Sequence, residues 1–96
     1  MVDRIIFVQI YHWKDYVMKK TRIILSSIDD IKSFVAYATA QSCAIDLMSG
    51  RYTVDGKSIM GIFSLDLSSP IEVIYYGNDS DADSFFTIID DFKVKD

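Results

Sequence analysis

Six consecutive residues, Ile71-Glu72-Val73-Ile74-Tyr75-Tyr76, limit most strongly how this chain can fold. All but Glu72 are β-branched or aromatic, so the run reads as a strand. Ser68-Ser69-Pro70 stands before it and Gly77-Asn78 after it, and these breakers fix its two ends. Alternation along a strand sends Tyr75 and Tyr76 to opposite faces, one ring into a core and one onto the sheet surface. The chain has 96 residues, half of them apolar and 14% aromatic, enough for one domain with one compact core.

The other elements fall into order around this strand. Arg22-Ile23-Ile24-Leu25 reads as a strand stopped by Ser26 and Ser27. Ile28, Ile31, Val35 and Ala38 recur at helical spacing with Phe34 beside them, which predicts an amphipathic helix over residues 28–41. Ser27 is placed to cap it, and Asp29 and Asp30 suit the positive end of its dipole. Residues 43–49 alternate as a second strand, Gly50 marks a turn, and Tyr52-Thr53-Val54 completes a hairpin. Ser58 can cap a short helix with apolar positions at Ile59, Ile62, Phe63 and Leu67. Asp79, Ser80 or Asp81 starts a last helix whose buried stripe is Ala82, Phe85, Ile88, Ile89 and Phe92, followed by Lys93 and Lys95. From Met18 the order is strand, helix, strand, strand, helix, strand, helix. That order predicts an α+β open-faced sandwich with the helices on one face of the sheet.

Residues 1–17 stand apart. Ile5, Ile6, Phe7, Val8 and Ile10 form a near-continuous apolar run, either a strand or the start of an amphipathic helix through Trp13 and Val17. Met18-Lys19-Lys20 would also serve as an ordinary translational start. The division is therefore an extension over 1–17, added or non-native, and a domain over 18–96. A genuine extension has apolar side chains that must cover the sheet face or a second chain.

Charge and composition exclude several function classes. The formal net charge is −4, which argues against nonspecific nucleic-acid binding, since that requires clustered Lys and Arg. Residues 1–20 carry a charge of +2 and the remainder −6. No apolar run reaches the roughly 18 residues of a spanning helix. The N-terminus lacks the ordered regions of a signal peptide, so a cytoplasmic location is expected. The single cysteine, Cys43, allows no internal disulfide and reads as a small buried apolar residue. One Cys and one His, His12, cannot build a zinc site of the usual kind. Asp79, Asp81 and Asp83 alternate like a calcium loop, but no glycine and glutamate follow at the required spacing, so they read as an acidic helix start. No metal, no cofactor and no paired base and nucleophile are expected, and therefore no enzyme.

The segment Val54-Asp55-Gly56-Lys57-Ser58-Ile59-Met60-Gly61-Ile62-Phe63-Ser64-Leu65 resembles the regulatory-serine segment of the HPr family, V-D-x-K-S-I-M-G-x-x-S-L. HPr is the phosphocarrier of the bacterial phosphoenolpyruvate-dependent sugar phosphotransferase system. Ile71-Glu72-Val73 and the stretch from Gly77 to Ala82 are similar to the family's last strand and the opening of its last helix. The resemblance covers residues 18–93 almost without gaps. It implies a four-stranded antiparallel sheet covered on one face by three helices.

The resemblance also implies particular sites. The family's phosphocarrier histidine, in a G-[IL]-H-A-R-P-A-like stretch, falls on Ser27, its arginine on Asp29 and its proline on Asp30. A serine ester does not pass its phosphate on as imidazole does, and each aspartate would repel phosphate by about 1 kcal/mol at a solvated surface. His12 precedes the first core strand and is no replacement. No catalytic residue is therefore expected. Ser58 matches the family's regulatory serine, which a dedicated HPr kinase phosphorylates, after which the protein binds a transcriptional regulator. Ile59, Met60 and Phe63 match the patch by which the family docks its partners. The fold alone offers a second reading, in which Ser58 is only a cap and Ile59, Met60 and Phe63 only core. The expectation is a regulatory or protein-binding module. The alternatives are a self-associating domain that keeps only the fold, and a carrier with an atypical site.

Overall fold

The computed structural model describes residues 17–94. The apolar run at residues 5–10, His12 and Trp13 lie outside the described residues, as does Lys95. Four strands, β1 (Val17–Ile23), β2 (Ala44–Ser49), β3 (Tyr52–Asp55) and β4 (Ile71–Gly77), form one sheet in the order β1-β4-β2-β3. Every neighbouring pair is antiparallel. Three helices, α1 (Ile28–Thr39), α2 (Ile59–Phe63) and α3 (Asp79–Ile88), connect the strands, and a 3-10 turn follows at Asp90–Phe92. This is the α+β open-faced sandwich, a four-stranded antiparallel sheet with three helices, that the sequence predicts.

The apolar run 71–76 becomes β4, bonded on both sides: Thr21 faces Val73 across one edge and Leu47 faces it across the other. Ile71, Val73 and Tyr75 point to the helices and join Ile23, Ile45 and Leu47 as the floor of the core. From above, α1 contributes Ile31, Phe34 and Ala38, α2 contributes Ile62, and α3 contributes Ala82, Phe85 and Phe86, with Ile89 just beyond its end. An aromatic cluster ties the layers together, with ring centroids at 6.0 Å for Phe34–Phe85, 5.5 Å for Tyr75–Phe85 and 6.3 Å for Tyr75–Phe86. Such spacing adds attraction beyond the area buried.

Several local expectations are corrected. The first strand ends at Ile23 rather than spanning 22–25 and runs back to Val17, because β4 supplies partners from Gly77 to Ile71 along that whole length. Ile28 is 60% exposed, not part of the core stripe: it occupies the first helical position of α1, over an open groove. Ile88 is likewise exposed and Phe86 takes its place. At roughly 100° per residue, Ala82, Phe85, Phe86 and Ile89 share one face, and Ile88 lies well to its side. The last helix, α3, starts at Asp79, one of the three expected positions, and its cap is Asn78. Its Oδ1 accepts from the Asp81 amide at 2.7 Å while its Nδ2 donates to the Asp81 carboxylate at 3.0 Å. An amide side chain can make both bonds, which a carboxylate cannot.

The β2–β3 hairpin turns at Gly50, whose φ of 60° favours glycine. At the other side of the sheet the chain returns to β1. The Ile24 amide donates to the Phe92 carbonyl at 2.8 Å and the Val94 amide to the Arg22 carbonyl at 3.1 Å, which covers one end of that exposed edge.

Truncating the centre of the aromatic cluster should be costly. Phe85→Ala is expected to lower the unfolding free energy by about 3–5 kcal/mol in urea titration. Tyr75→Phe, which loses only a hydroxyl bond, should cost about 1 kcal/mol.

Candidate functional site

The start of α1 and the end of α2 meet at one groove. It has a volume of about 500 Å³ and is lined by Leu25, Ser27, Ile28 and Ile31 on the α1 side and by Phe63 and Leu67 on the α2 side. Its walls are mainly aliphatic and aromatic, with serine hydroxyls at the rim.

The start of α1 is closed upon itself. The Ser27 hydroxyl accepts from the Asp30 amide at 3.0 Å. The Asp30 carboxylate in turn accepts from the Ser26 amide at 3.2 Å and the Ser26 hydroxyl at 3.1 Å. This is a capping box moved back by one residue: side chains of the chain itself take up free donors at the helix end. Asp29 stands exposed beside it. The groove thus meets a helix end that is both occupied and negatively charged.

The start of α2 is held differently. The Ser58 hydroxyl accepts from the Gly61 amide at 3.1 Å, so Ser58 is the cap the sequence predicts. The turn before it is fixed where the Lys57 amide donates to the Asp55 carboxylate at 2.9 Å and the Ser58 amide to the Asp55 carbonyl at 3.0 Å. Gly56 fits a tight approach here: its amide donates to the Ile45 carbonyl at 2.7 Å, and a Cβ would crowd that same oxygen at 3.0 Å. The Lys57 ammonium reaches the Gln41 carbonyl at 2.9 Å, and the Gln41 side chain accepts from the Tyr75 hydroxyl at 2.9 Å. Burial first, and then the adjacent Cys43 thiol, push the Tyr75 hydroxyl well above its ordinary pKa, so it remains a donor to Gln41. A chain of bonds therefore runs from the core ring of Tyr75 to the residue beside Ser58.

The three apolar residues after Ser58 part company. Ile59 is half-buried and packs against the core. Met60 is 75% exposed and Phe63 45% exposed, one turn apart on the outer side of α2. Ile24 and Ile28 stand exposed on the α1 side of the groove that Phe63 also lines. The periodicity assigns Ile28 to the core and gives Ile24 to a strand, so neither stands out in the sequence as a surface residue. The only available signal is that Ile28 comes directly after its cap.

The remaining candidates have structural surroundings. Cys43 is half-buried against the core. Asp79 and Asp83 lie 3.5 and 2.9 Å from the Lys19 ammonium, and Asp83 first, then Asp79, raises the pKa of that lysine. Among the described residues, no group of three or more His, Cys, Asp or Glu side chains is placed to hold a metal ion. No helix among them is long and apolar enough to cross a membrane.

Known structures share this architecture. The chain is similar to HPr-C-His from Thermoanaerobacter tengcongensis, with a TM-score of 0.62 and 25% identity over 74% of this chain and 89% of that one. It is similar to the phosphocarrier protein HPr from Bacillus anthracis str. Ames, with a TM-score of 0.61 and 26% identity over 82% of this chain and 98% of that one. No protein-family model matches the chain, and no curated protein matches its sequence. The fold is HPr-like, and its structural neighbours include a phosphocarrier.

Near the groove rim, hydrogen bonds from Ser68, both side chain and backbone, hold the Asp66 carboxyl below its usual pKa. A carboxylate whose pKa is depressed by folding stabilises the protein fully above its unfolded value near 3.8 and loses that contribution as pH falls through the folded one. In urea titrations across pH, Asp66→Asn should be less stable than the parent above pH 4, and the two should converge in more acid solution.

Proposed function

We propose that this chain is a regulatory, protein-binding module related to the sugar phosphotransferase system. It engages partners through α2 and the groove beside it, without histidine phosphocarrier activity. The observation that carries the reading is the exposure of Met60 and Phe63 on a helix whose other apolar residues, Ile59 and Ile62, face the core. Packing accounts for Ile59 and Ile62 and leaves the other two with no role in the fold. Exposed apolar clusters of this kind are typical of docking surfaces.

The start of α1 supports the second half of the proposal. A carrier site there needs a transferable nucleophile, free amides and a cation. This chain places Ser27, Asp29 and Asp30 at those positions, and the Ser27 hydroxyl and Asp30 carboxylate are already bonded within the cap. The sole histidine, His12, lies far from them in sequence. Asp29 next to an apolar groove suits a partner that brings an apolar side chain flanked by a cation.

Ser58 is the regulatory position. A phosphoryl group there adds a charge of about −1.5 to −2 within about a turn and a half of Met60 and Phe63, enough to change which surfaces can dock. An HPr kinase and a transcriptional regulator are the partners the resemblance to HPr points to.

With phosphoenolpyruvate and the general phosphotransferase enzyme, the mass of the protein should stay unchanged; a base-stable, acid-labile phosphoryl adduct would contradict the loss of carrier activity. With ATP and an HPr kinase, one phosphoryl group should be added to the parent and none to Ser58→Ala. Equal labelling of the two would remove Ser58 from the proposal.

The docking face is tested separately. Met60→Asp and Phe63→Asp should each weaken binding of the modified protein to a catabolite regulator by at least about tenfold, a loss of roughly 1.4 kcal/mol or more. Their urea midpoints should stay close to that of the parent. Undiminished binding by both variants would exclude this surface.

A further inference from the structure

Lys57 is half-buried, and its ammonium is bonded to a neutral group, the Gln41 carbonyl, at 2.9 Å. Among the described residues no carboxylate lies within ion-pair distance of it, whereas the ammonium groups of Lys19 and Lys93 each have one. Asp55, two residues earlier, accepts from the Lys57 amide at 2.9 Å and not from the ammonium. A cation held in this way keeps its charge uncompensated.

The carbonyl it holds lies where the chain leaves α1. That helix ends at Thr39 with Ala40 as its cap; the Ala40 amide donates to the Ala36 carbonyl at 3.3 Å and the Gln41 amide to the Ala38 carbonyl at 3.0 Å. The last turn of α1 has no basic residue of its own, so Lys57 supplies the cation that suits the negative end of the helix dipole. Ser58, the next residue, holds the start of α2. One lysine thus joins the end of one helix to the start of another.

We propose that Lys57 is a charge-sensing latch. While Ser58 is unmodified, its ammonium holds the end of α1. Once Ser58 carries a phosphoryl group, the ammonium leaves the Gln41 carbonyl for the phosphoryl oxygens, and the last turn of α1 loosens. The inference rests on Ser58 being the regulatory position. In that modification the Ser58 Oγ takes the γ-phosphoryl group of ATP, its O–H proton is released and ADP leaves.

The chemistry of the two acceptors favours the exchange. The phosphoryl group offers three strong acceptor oxygens and a negative charge, where the carbonyl offers a dipole. An ammonium on a flexible stem with three rotatable donors can turn to its neighbour in sequence. The loosening is confined to α1, because the Gln41 side chain stays bonded to the Tyr75 hydroxyl at 2.9 Å and keeps the connection to β2 anchored.

The test uses the full chain with phosphoserine installed at position 58 during translation, so it stands whether or not an HPr kinase accepts the protein. In isotope-labelled unmodified protein, the Lys57 Nζ should show a scalar coupling across the hydrogen bond to the Gln41 carbonyl carbon. In the phosphoserine form that coupling should vanish. Amide exchange at Ala40 and Gln41 should then quicken at least about fivefold, with the amides of β4 unchanged. Unmodified Lys57→Met should exchange at Ala40 and Gln41 as fast as the phosphoserine form, and phosphoserine should add nothing further. A coupling and exchange rates unaltered by phosphoserine would overturn the proposal. So would a Lys57→Met variant that still responds to phosphoserine as the parent does. Should Lys57→Met fail to fold, the coupling in the two forms of the parent decides.

Discussion

Placing β4 between β1 and β2 makes every other element depend on how one apolar strand satisfies its backbone and its two faces. Its amides and carbonyls are taken up on both sides by antiparallel neighbours, so no polar backbone group of the central strand faces the core unpaired. Its helix-facing side then fixes where the three helices can lie, because Phe34, Ala82 and Phe85 must find Val73 and Tyr75 beneath them. Tyr75 is the junction. Its ring is core, and its hydroxyl must find an acceptor at the core's edge. Gln41 supplies one, and the backbone carbonyl of the same residue anchors Lys57. The position of α2, and with it the direction in which Met60 and Phe63 point, is thereby linked to the burial of a tyrosine on another element.

Much of the strand and helix order is legible in the sequence because it rests on local rules. The breakers around residues 71–76 fix a strand whatever packs on it. Ser27 and Ser58 act as caps because a hydroxyl one residue before a helix has an amide within reach. The failures are geometric. Ile28 has the right residue type and spacing, but an apolar stripe says nothing about where along a helix its support ends, and Ile88 lies on the side of α3 away from the face that Ala82, Phe85, Phe86 and Ile89 share. The helix start at Asp79 is legible, but the capping role of Asn78 rests on a two-way bond with Asp81 that depends on side-chain geometry. The return of Phe92 and Val94 to the edge of β1, and the link from Gln41 to Lys57, join residues distant in sequence and leave no local mark.

The same distinction applies to the candidate site. A string such as Lys57-Ser58-Ile59-Met60-Gly61 identifies a surface only if its side chains divide between inside and outside, and periodicity cannot decide that over a helix of five residues. The structure divides them: Ile59 and Ile62 inward, Met60 and Phe63 outward. The other half of the groove, Ile24 and Ile28, comes from a different part of the chain and meets the first only in the folded protein.

The starts of α1 and α2 show how similar capping chemistry can leave different options. At α1, Ser26, Ser27 and Asp30 bind one another, and a carboxylate takes the place an incoming anion would need. An anion arriving there must displace a carboxylate from its own hydrogen bonds and then sit beside Asp29, losing on both counts. At α2 the capping hydroxyl accepts one bond from Gly61 and no carboxylate closes over it, while Asp55 is engaged with the Lys57 amide on the preceding turn. The Ser27 hydroxyl is thus enclosed in a network that includes a carboxylate, whereas the Ser58 hydroxyl carries a single bond to a backbone amide. Fold alone would be satisfied by either arrangement. The difference between them lies in which helix start is closed over by a carboxylate, and it is the open one, on α2, whose helix carries Met60 and Phe63 outside the core.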